Sequence, residues 1–191
     1  MRALETFTEI PRAEGGAILL RAARDADAAA MAEGLRDDRV QRYIAGAPAD
    51  ATEQSLQRYI REAVPAYWAG GTAAVFAVAE PETDAFLGTA MLTFPQPLYD
   101  IGEAVLWLAP NGRGMRRATA ALRALCRFGF EELRLARIEA STAVSNRAMR
   151  VVGGYVGFVT EGLARAKILD PVTGTREDAI LAGLLPEDLR S

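Results

Sequence analysis

A short apolar run, a basic loop with glycines and an amphipathic helical pattern follow one another between Glu103 and Glu132. The run Ala104–Ala109 is too short for a typical helix and ends at Pro110, so it predicts a buried strand. The stretch therefore predicts a strand, a tight loop and a helix whose first turn is made from that loop. The apolar positions that recur at helical spacing after the loop are Leu122, Leu125, Cys126, Gly129, Phe130 and Leu133.

The loop of this stretch has the features of an anion-binding site. The first four amides of a helix lack intrahelical partners and lie at the positive end of the helix dipole, so they can donate to phosphate oxygens. Gly112 and Gly114 would let a phosphate approach the backbone closely. Arg113, Arg116 and Arg117 add positive charge. A basic helix start with solvated arginines fits the same residues, and the loop alone leaves both interpretations open.

The absence of histidine from the 191 residues excludes several catalytic and metal-binding arrangements. Ser-His-Asp and Cys-His catalysis, histidine metal sites and a histidine general base are all impossible. The single cysteine, Cys126, lies within the apolar helical pattern, so we expect it in the core, with no intramolecular disulfide and no metal site. Acid–base chemistry therefore falls to carboxylates, tyrosines, lysine, the backbone or water.

Length, charge and hydropathy indicate one domain without a nucleic-acid or membrane partner. A chain of this length in which half of the residues are hydrophobic fits one domain. Its net charge of −3 lacks the overall basic character that is typical of a nucleic-acid binder. No stretch approaches the roughly 18 apolar residues of a membrane span, and the N-terminus has no continuous apolar signal region. We therefore expect a cytoplasmic protein.

The hydrophobic period along the chain predicts the order strand, two helices, three strands, helix, strand, helix, two strands. We expect residues 1–16 to form an N-terminal extension and residues 17–186 to form one domain. Interruptions are expected at Pro65 in the second helix, at Pro95 after a strand, and at Gly153–Gly154, where the last helix would stop. The predicted strands are Ala17–Arg21, Ala73–Ala79, Phe86–Phe94, Ile101–Leu108, Arg137–Thr142, Val156–Glu161 and Ala179–Leu184.

Three segments share an ordered pattern: Glu103–Ala118 (EAVLWLAPNGRGMRRA), Leu135–Ala148 (LARIEASTAVSNRA) and Gly157–Gly162 (GFVTEG). Together they resemble the GNAT superfamily of acetyl-CoA-dependent N-acetyltransferases, and most strongly its RimJ/RimL branch of ribosomal-protein N-terminal acetyltransferases. That branch has a strand, a Pro-x-x-Arg-Gly loop, a long helix, a second strand, an Asn-centred loop and a Gly-Phe-x-x-Glu-Gly strand start. The resemblance covers about residues 17 to 184. It implies an α/β (α+β) fold, a single GNAT-like domain with a mixed, mostly antiparallel sheet flanked by helices.

The resemblance also implies a site for acetyl-CoA along the strand–loop–helix stretch. Family members bind the CoA pyrophosphate mainly through backbone amides of the loop, and here Arg116 stands where the family has its middle glycine. The strand before the loop is implied to splay from the next strand, so that its backbone can pair with the pantetheine arm. The Asn146 side chain is implied to face the cofactor. The implied cofactor-binding residues are Leu106, Trp107, Leu108, Arg113, Gly114, Met115, Arg116, Arg117, Ala118 and Asn146.

Two further positions bear on the chemistry that the resemblance implies. Glu103 matches a glutamate of the RimJ/RimL-like pattern and begins the strand that enters the site, so it is the candidate catalytic base. The alternative is a solvated charge at a strand start. Met149 stands where the branch usually has a serine, whose hydroxyl is a candidate proton donor. Because a thiol has an ordinary pKa of about 8.5, the thiolate can leave without strong acid help.

The implied function is transfer of an acetyl group from acetyl-CoA to a primary amine by direct attack, without a metal. The acceptor would be a protein or peptide N-terminus, an amino acid or a small amine. Arg116 and Met149 motivate an alternative, a catalytically weak GNAT-like module that binds acyl-CoA or a partner. A homodimer is implied by the resemblance alone. Charged residues in the segments that surround the acceptor in the superfamily are Asp37, Asp38, Arg39, Arg42, Arg165 and Lys167.

Overall fold

An eight-stranded sheet forms the centre of the protein. The computed structural model describes residues 9–44, 47–96, 99–171 and 173–190. The strands are β1 (Ala13–Glu14), β2 (Leu19–Arg21), β3 (Ala73–Ala79), β4 (Phe86–Gln96), β5 (Ile101–Leu108), β6 (Arg137–Ala143), β7 (Val159–Leu169) and β8 (Arg176–Leu184). Their order is β1-β2-β3-β4-β5-β6-β8-β7, and within the described ranges only β5 and β6 pair in parallel. The prediction of a mixed, mostly antiparallel sheet flanked by helices is confirmed.

The helices lie in the predicted parts of the chain, but four of them, not two, lie between β2 and β3 in the described ranges. They are α1 (Ala28–Leu35), α2 (Asp38–Tyr43), α3 (Glu53–Arg58), α4 (Val64–Ala69), α5 (Met115–Glu131) and α6 (Arg147–Val156). The expected interruption near Pro65 takes the form of a π turn over Tyr59–Ala63, in which the Val64 amide donates to the Tyr59 carbonyl. This wider turn lets the chain continue into α4 although Pro65 has no amide hydrogen to donate.

Two of the expected interruptions are wrong. β4 continues through Pro95 to Gln96, because a register shift against β5 between Thr93 and Gln96 removes the proline from the regular ladder. α6 continues through Gly153–Gly154 and ends at Gly157, which has a φ of 119°. A glycine inside a helix weakens it by only about 1 kcal/mol, whereas a residue with positive φ ends it.

Two hydrophobic clusters lie against the sheet. β3 is buried along its whole length, as expected of a central strand covered on both faces. The larger cluster lies between the sheet, α5 and α6, and the smaller one includes residues of α1, α2 and α3. Cys126 is fully buried in the larger cluster, as predicted, and burial raises the pKa of its thiol.

The N-terminal part of the described chain also joins the sheet. Ala13 pairs with Leu20, and Glu14 with Leu19, so β1 is a short edge strand. β1 lies within the predicted N-terminal extension, residues 1–16. The boundary between this extension and the domain of residues 17–186 stays a prediction.

Candidate active site

The sheet opens between β5 and β6. These two strands pair in parallel only over Ile101–Glu103 and Arg137–Glu139. Beyond that point β5 stays paired with β4 as far as Leu108, and β6 stays paired with β8 as far as Ala143. The facing edges of β5 and β6 therefore separate, and in the described structure the β5 edge beyond Glu103 has no strand beside it.

A cavity of about 600 Å³, which we call the cleft, lies at this opening. The end of β5 and the first turn of α5 line it from one side, and α2 and the loop between β6 and α6 line it from the other. Of the cofactor-binding residues implied by the resemblance, the cleft brings together Leu106, Trp107, Leu108, Arg113, Gly114, Met115, Ala118 and Asn146.

The first turn of α5 presents open backbone amides at the cleft. Gly114 is the N-cap, with a φ of 138°, and no side chain caps the helix. The first intrahelical bond runs from the Ala118 amide to the Gly114 carbonyl at 3.0 Å. The amides of residues 115–117 precede that bond, so they are the donors that an anion could use.

The two glycines of the loop have different roles. A Cβ on Gly114 would meet nothing within 4 Å, so glycine is favoured there because of the positive φ. A Cβ on Gly112 would lie 2.3 Å from the Leu87 carbonyl oxygen, so glycine allows the loop to pack against β4. Gly112 is buried at this contact and does not line the cleft, in contrast to the expectation that it admits a phosphate.

The three arginines of the loop point to three different places. Arg113 lines the cleft and pairs with Asp37, the N-cap residue of α2. Arg117 pairs with Glu80 and donates to the Asn111 carbonyl at 3.0 Å. Arg116 lines a separate cavity on the outer side of α5. Of the three, only Arg113 reaches the cleft, so the phosphate contacts of Arg116 and Arg117 stay predictions.

The Asp37 carboxylate links α2 to the loop. It accepts hydrogen bonds from the amides of Arg39 and Val40, at 3.0 and 3.3 Å, and thereby caps α2. Its hydrogen bond from Arg113 is the main cause of a lowered pKa, although partial burial opposes the shift. The charged form of Asp37 therefore helps to hold α2 against the cleft.

Asn146 is placed by the start of α6. Its Oδ1 accepts a hydrogen bond from the Met149 amide at 3.4 Å, which makes Asn146 the N-cap. Asn146 and Met149 both line the cleft. Met149, which stands where the RimJ/RimL branch usually has a serine, therefore contributes a thioether and no hydroxyl to this wall.

Glu103 lies at the point where β5 and β6 begin to separate. It is the last residue of β5 in register with β6, opposite Glu139, and it is opposite Thr93 on β4. It does not line the cleft, whose nearest β5 residue is Leu106. Three residues of extended chain span about 10 Å, so this is roughly the distance along β5 between Glu103 and the lining of the cleft. Glu103 would therefore exchange a proton with a reacting amine through water.

A hydroxyl pair in the cleft wall was missed by sequence reasoning. The Tyr43 and Ser145 hydroxyl oxygens lie 3.2 Å apart. Ser145 also donates from its hydroxyl and its amide to the Glu177 carboxylate, at 2.9 and 3.0 Å, and Arg42 pairs with Asp170 at 3.2 Å. The position of Ser145 directly before Asn146 was a weak signal. Its partners lie on α2 and β8, which sequence spacing cannot bring together.

Of the charged residues that were expected near the acceptor, Asp38, Arg39 and Arg42 line the cleft, whereas Arg165 and Lys167 do not.

Among the described residues, no group of three or more histidine, cysteine, aspartate or glutamate residues could hold a metal ion. The described helices include none that is long and apolar enough to cross a membrane.

Known proteins share both the sequence pattern and the fold. The profile of the family described as "Acetyltransferase (GNAT) domain" matches residues 17–159. The Bacillus subtilis (strain 168) protein YdaF, named as a candidate ribosomal N-acetyltransferase, is 37% identical over 86 residues. That match covers 45% of this chain and 46% of YdaF, so it spans less than half the length of this curated relative.

Two solved structures illustrate the shared fold. Mycobacterium smegmatis RimJ in complex with CoA-disulfide has a TM-score of 0.80 at 24% identity, covering 94% of this chain and 87% of that chain. Spermidine N-acetyltransferase from Vibrio cholerae, in complex with CoA and spermine, has a TM-score of 0.76 at 18% identity. The match covers 90% of this chain and 97% of that chain. The family profile extends over most of the chain, and the protein therefore belongs to the acetyltransferase (GNAT) domain family.

Proposed function

We propose that this protein transfers an acetyl group from acetyl-CoA to the primary amine at the N-terminus of a protein or peptide, by direct attack. The observation that carries the proposal is the cleft between β5 and β6, which joins an open strand edge to an uncapped helix N-terminus. Family membership supports the same chemistry.

The cleft residues fit the chemical groups of acetyl-CoA. The amides of residues 115–117 and the positive end of α5 suit the pyrophosphate, and Gly114 leaves open space before them. The open edge of β5 at Leu106–Leu108 offers backbone groups to the amides of the pantetheine arm, with Asn146 in the opposite wall. Acetyl-CoA supplies an acetyl group activated as a thioester.

The charges around the cleft favour a peptide acceptor over a polyamine. The lining of the cleft includes three arginines, Arg39, Arg42 and Arg147, and one carboxylate near them, that of Asp38. Arg42 is paired with Asp170, so the positive charge that would repel a polycationic acceptor more than a peptide with a single terminal amine is that of Arg39 and Arg147. The name of YdaF as a ribosomal N-acetyltransferase supports a ribosomal protein as the acceptor.

Glu103 is the proposed catalytic base, which takes up the amine proton through water molecules in the opening between β5 and β6. Its position at the start of the opening, in register with Glu139, supports this role, because it is where β5 and β6 begin to separate. The Tyr43 and Ser145 hydroxyls hold a proton at the cleft wall and replace the hydroxyl that Met149 lacks.

A catalytically weak module that binds acyl-CoA or a partner is the alternative. Two observations favour it: Met149 lines the cleft in place of a hydroxyl, and Glu103 lies outside the lining. Under this alternative the cleft would bind acetyl-CoA and no acceptor would be acetylated.

A thiol-release assay with acetyl-CoA tests the proposal. The acceptors are peptides that carry ribosomal-protein N-termini, matched peptides with a blocked N-terminus, free amino acids and spermine. We expect turnover with the free N-terminal peptides alone, and mass spectrometry should locate the acetyl group on the terminal amine. Acetyl-CoA binding without turnover on any amine would instead support the binding module. A cytoplasmic location and a homodimer stay predictions.

A further inference from the structure

A second cavity lies on the outer side of α5, away from the opening between β5 and β6. It has a volume of about 340 Å³ and is lined by one face of α5, the Gly15–Ala17 turn and Tyr155 of α6. Met115 lines both this cavity and the cleft. We call it the outer cavity. Its volume is within the usual range for small-molecule sites.

Two residues that line the outer cavity, Thr119 and Arg123, have polar atoms without partners. Thr119 is only 9% exposed, and its Oγ1 has no hydrogen-bond partner in the described structure. The Nε of Arg123 is also buried without a partner. Buried polar groups are almost always hydrogen-bonded, so a donor and a hydroxyl without partners in two residues of one cavity wall favour a ligand that completes them when it binds.

The outer cavity is also positively charged. Arg116 and Arg123 are two helical turns apart on the same face of α5, and both line it. Neither forms an ion pair with a described residue, whereas Arg113 and Arg117 on the same segment are both paired. The residues that line the outer cavity include no acidic side chain to neutralise the two guanidinium groups.

We propose that the outer cavity binds a phosphate group, held by Arg116 and Arg123 and by the Thr119 hydroxyl. Two guanidinium groups and a hydroxyl provide more donors than the two oxygens of a carboxylate would use, and they suit the oxygens of a phosphate. The space beside the two arginines admits the organic part of the ligand. Tyr155, which is 59% exposed, provides an aromatic ring at the rim.

Binding of inorganic phosphate to the full chain, measured by calorimetry or phosphorus NMR, tests this proposal. Arg116→Gln and Arg123→Gln should each weaken binding by about tenfold or more, because each removes a charged donor. Thr119→Val should also weaken it. The control is Arg127→Gln, which removes the same charge from an exposed position of α5 outside the cavity and should leave binding unchanged. Melting temperatures close to that of the wild type would exclude unfolding as the cause.

Acetyl-CoA and dephospho-CoA distinguish the source of the phosphate. If Arg123→Gln weakens the binding of acetyl-CoA but not that of dephospho-CoA, the site holds the ribose phosphate of the co-substrate. If the binding of acetyl-CoA and of dephospho-CoA is unchanged, the site holds a separate phosphate-bearing ligand. The proposal is overturned if the wild type binds no phosphate, if Arg127→Gln loses as much affinity as Arg123→Gln, or if both CoA forms weaken equally. It does not depend on acetyl transfer, since its first readout is phosphate binding.

Discussion

At the scale of single residues, Asp37 joins two parts of the cleft that are distant in sequence. Its carboxylate caps α2 and pairs with Arg113, 76 residues further along the chain. The side chains of Asp37 and Arg113 are 20% and 30% exposed, so water screens the pair only in part. The charge of Asp37 therefore contributes to stability whenever it is ionised.

Asp37→Asn should remove the charge and keep the helix cap, because asparagine caps as well as aspartate. We expect a loss of about 1 kcal/mol or less at neutral pH. Since folding lowers the pKa of Asp37 below its ordinary 3.8, this stability is present above that pH and is lost as the pH falls through the folded-state pKa. Unfolding of both proteins at neutral and acidic pH measures it. A difference that persists in strong acid would contradict the assignment to charge.

Glu103→Gln should lower kcat by about 10²-fold to 10⁴-fold, because the amide cannot accept the amine proton. Acetyl-CoA affinity and thermal stability should stay near wild-type values, since Glu103 does not line the cleft. The control is Glu139→Gln on β6, which removes a carboxylate from the position in register with Glu103. Steady-state kinetics of both variants decide the question. Equal losses in the two variants would show that Glu103 has no special role.

The three arginines of the loop show where sequence reasoning about the site stops. The cluster of charge was evident, but the partners Asp37 and Glu80 lie 76 and 37 residues away from Arg113 and Arg117. Only the fold brings those carboxylates to the loop. The residues that were expected to act through their backbone groups could be found from the sequence. Leu106–Leu108 and Gly114, which the resemblance implied for the cofactor site, line the cleft.

At the scale of elements, α6 shows that burial decides where a helix ends. Val152 and Val156 are buried on its inner face, so the helix continues through Gly153–Gly154. It ends where Gly157 takes a φ of 119° and packs against the backbone at Asp188. The sequence marks all three glycines alike, and only the tertiary contact separates the one that ends the helix.

Gly157→Ala should destabilise the protein by roughly 2 to 4 kcal/mol, because a Cβ would lie 2.0 Å from the Asp188 carbonyl oxygen at a positive φ. Gly154→Ala is the matched substitution within α6. A Cβ there meets nothing within 4 Å, so it should stabilise the protein by about 0.5–1 kcal/mol. Denaturant unfolding measures both. Similar effects of the same sign would contradict the assigned helix end.

At the scale of the whole molecule, hydrophobic period predicted the order of the elements except for β1 and for the four described helices between β2 and β3, and the resemblance implied the mostly antiparallel sheet. Hydrophobic period identified β3 and β5 with the bounds that the structure has, because their apolar runs are short and bounded by turn residues. The opening between β5 and β6 could not be derived from hydrophobic period, since it depends on which strands pair and for how long. The resemblance alone implied this opening. In the structure it follows from the pairing of β5 with β6, which ends at Glu103.

The central claim is that acetyl transfer takes place through this opening. The rate of acetyl-CoA-dependent acetylation of an N-terminal peptide should be measured for the wild type and for Ala118→Phe, whose ring would occupy the cleft. The ring would exclude acetyl-CoA from the cleft, so a loss of about 10-fold or more in the rate is expected. Ala118→Gly, which keeps the cleft open, should retain most of the rate. A folded Ala118→Phe variant with the wild-type rate, or a wild type that acetylates no amine, would contradict the account.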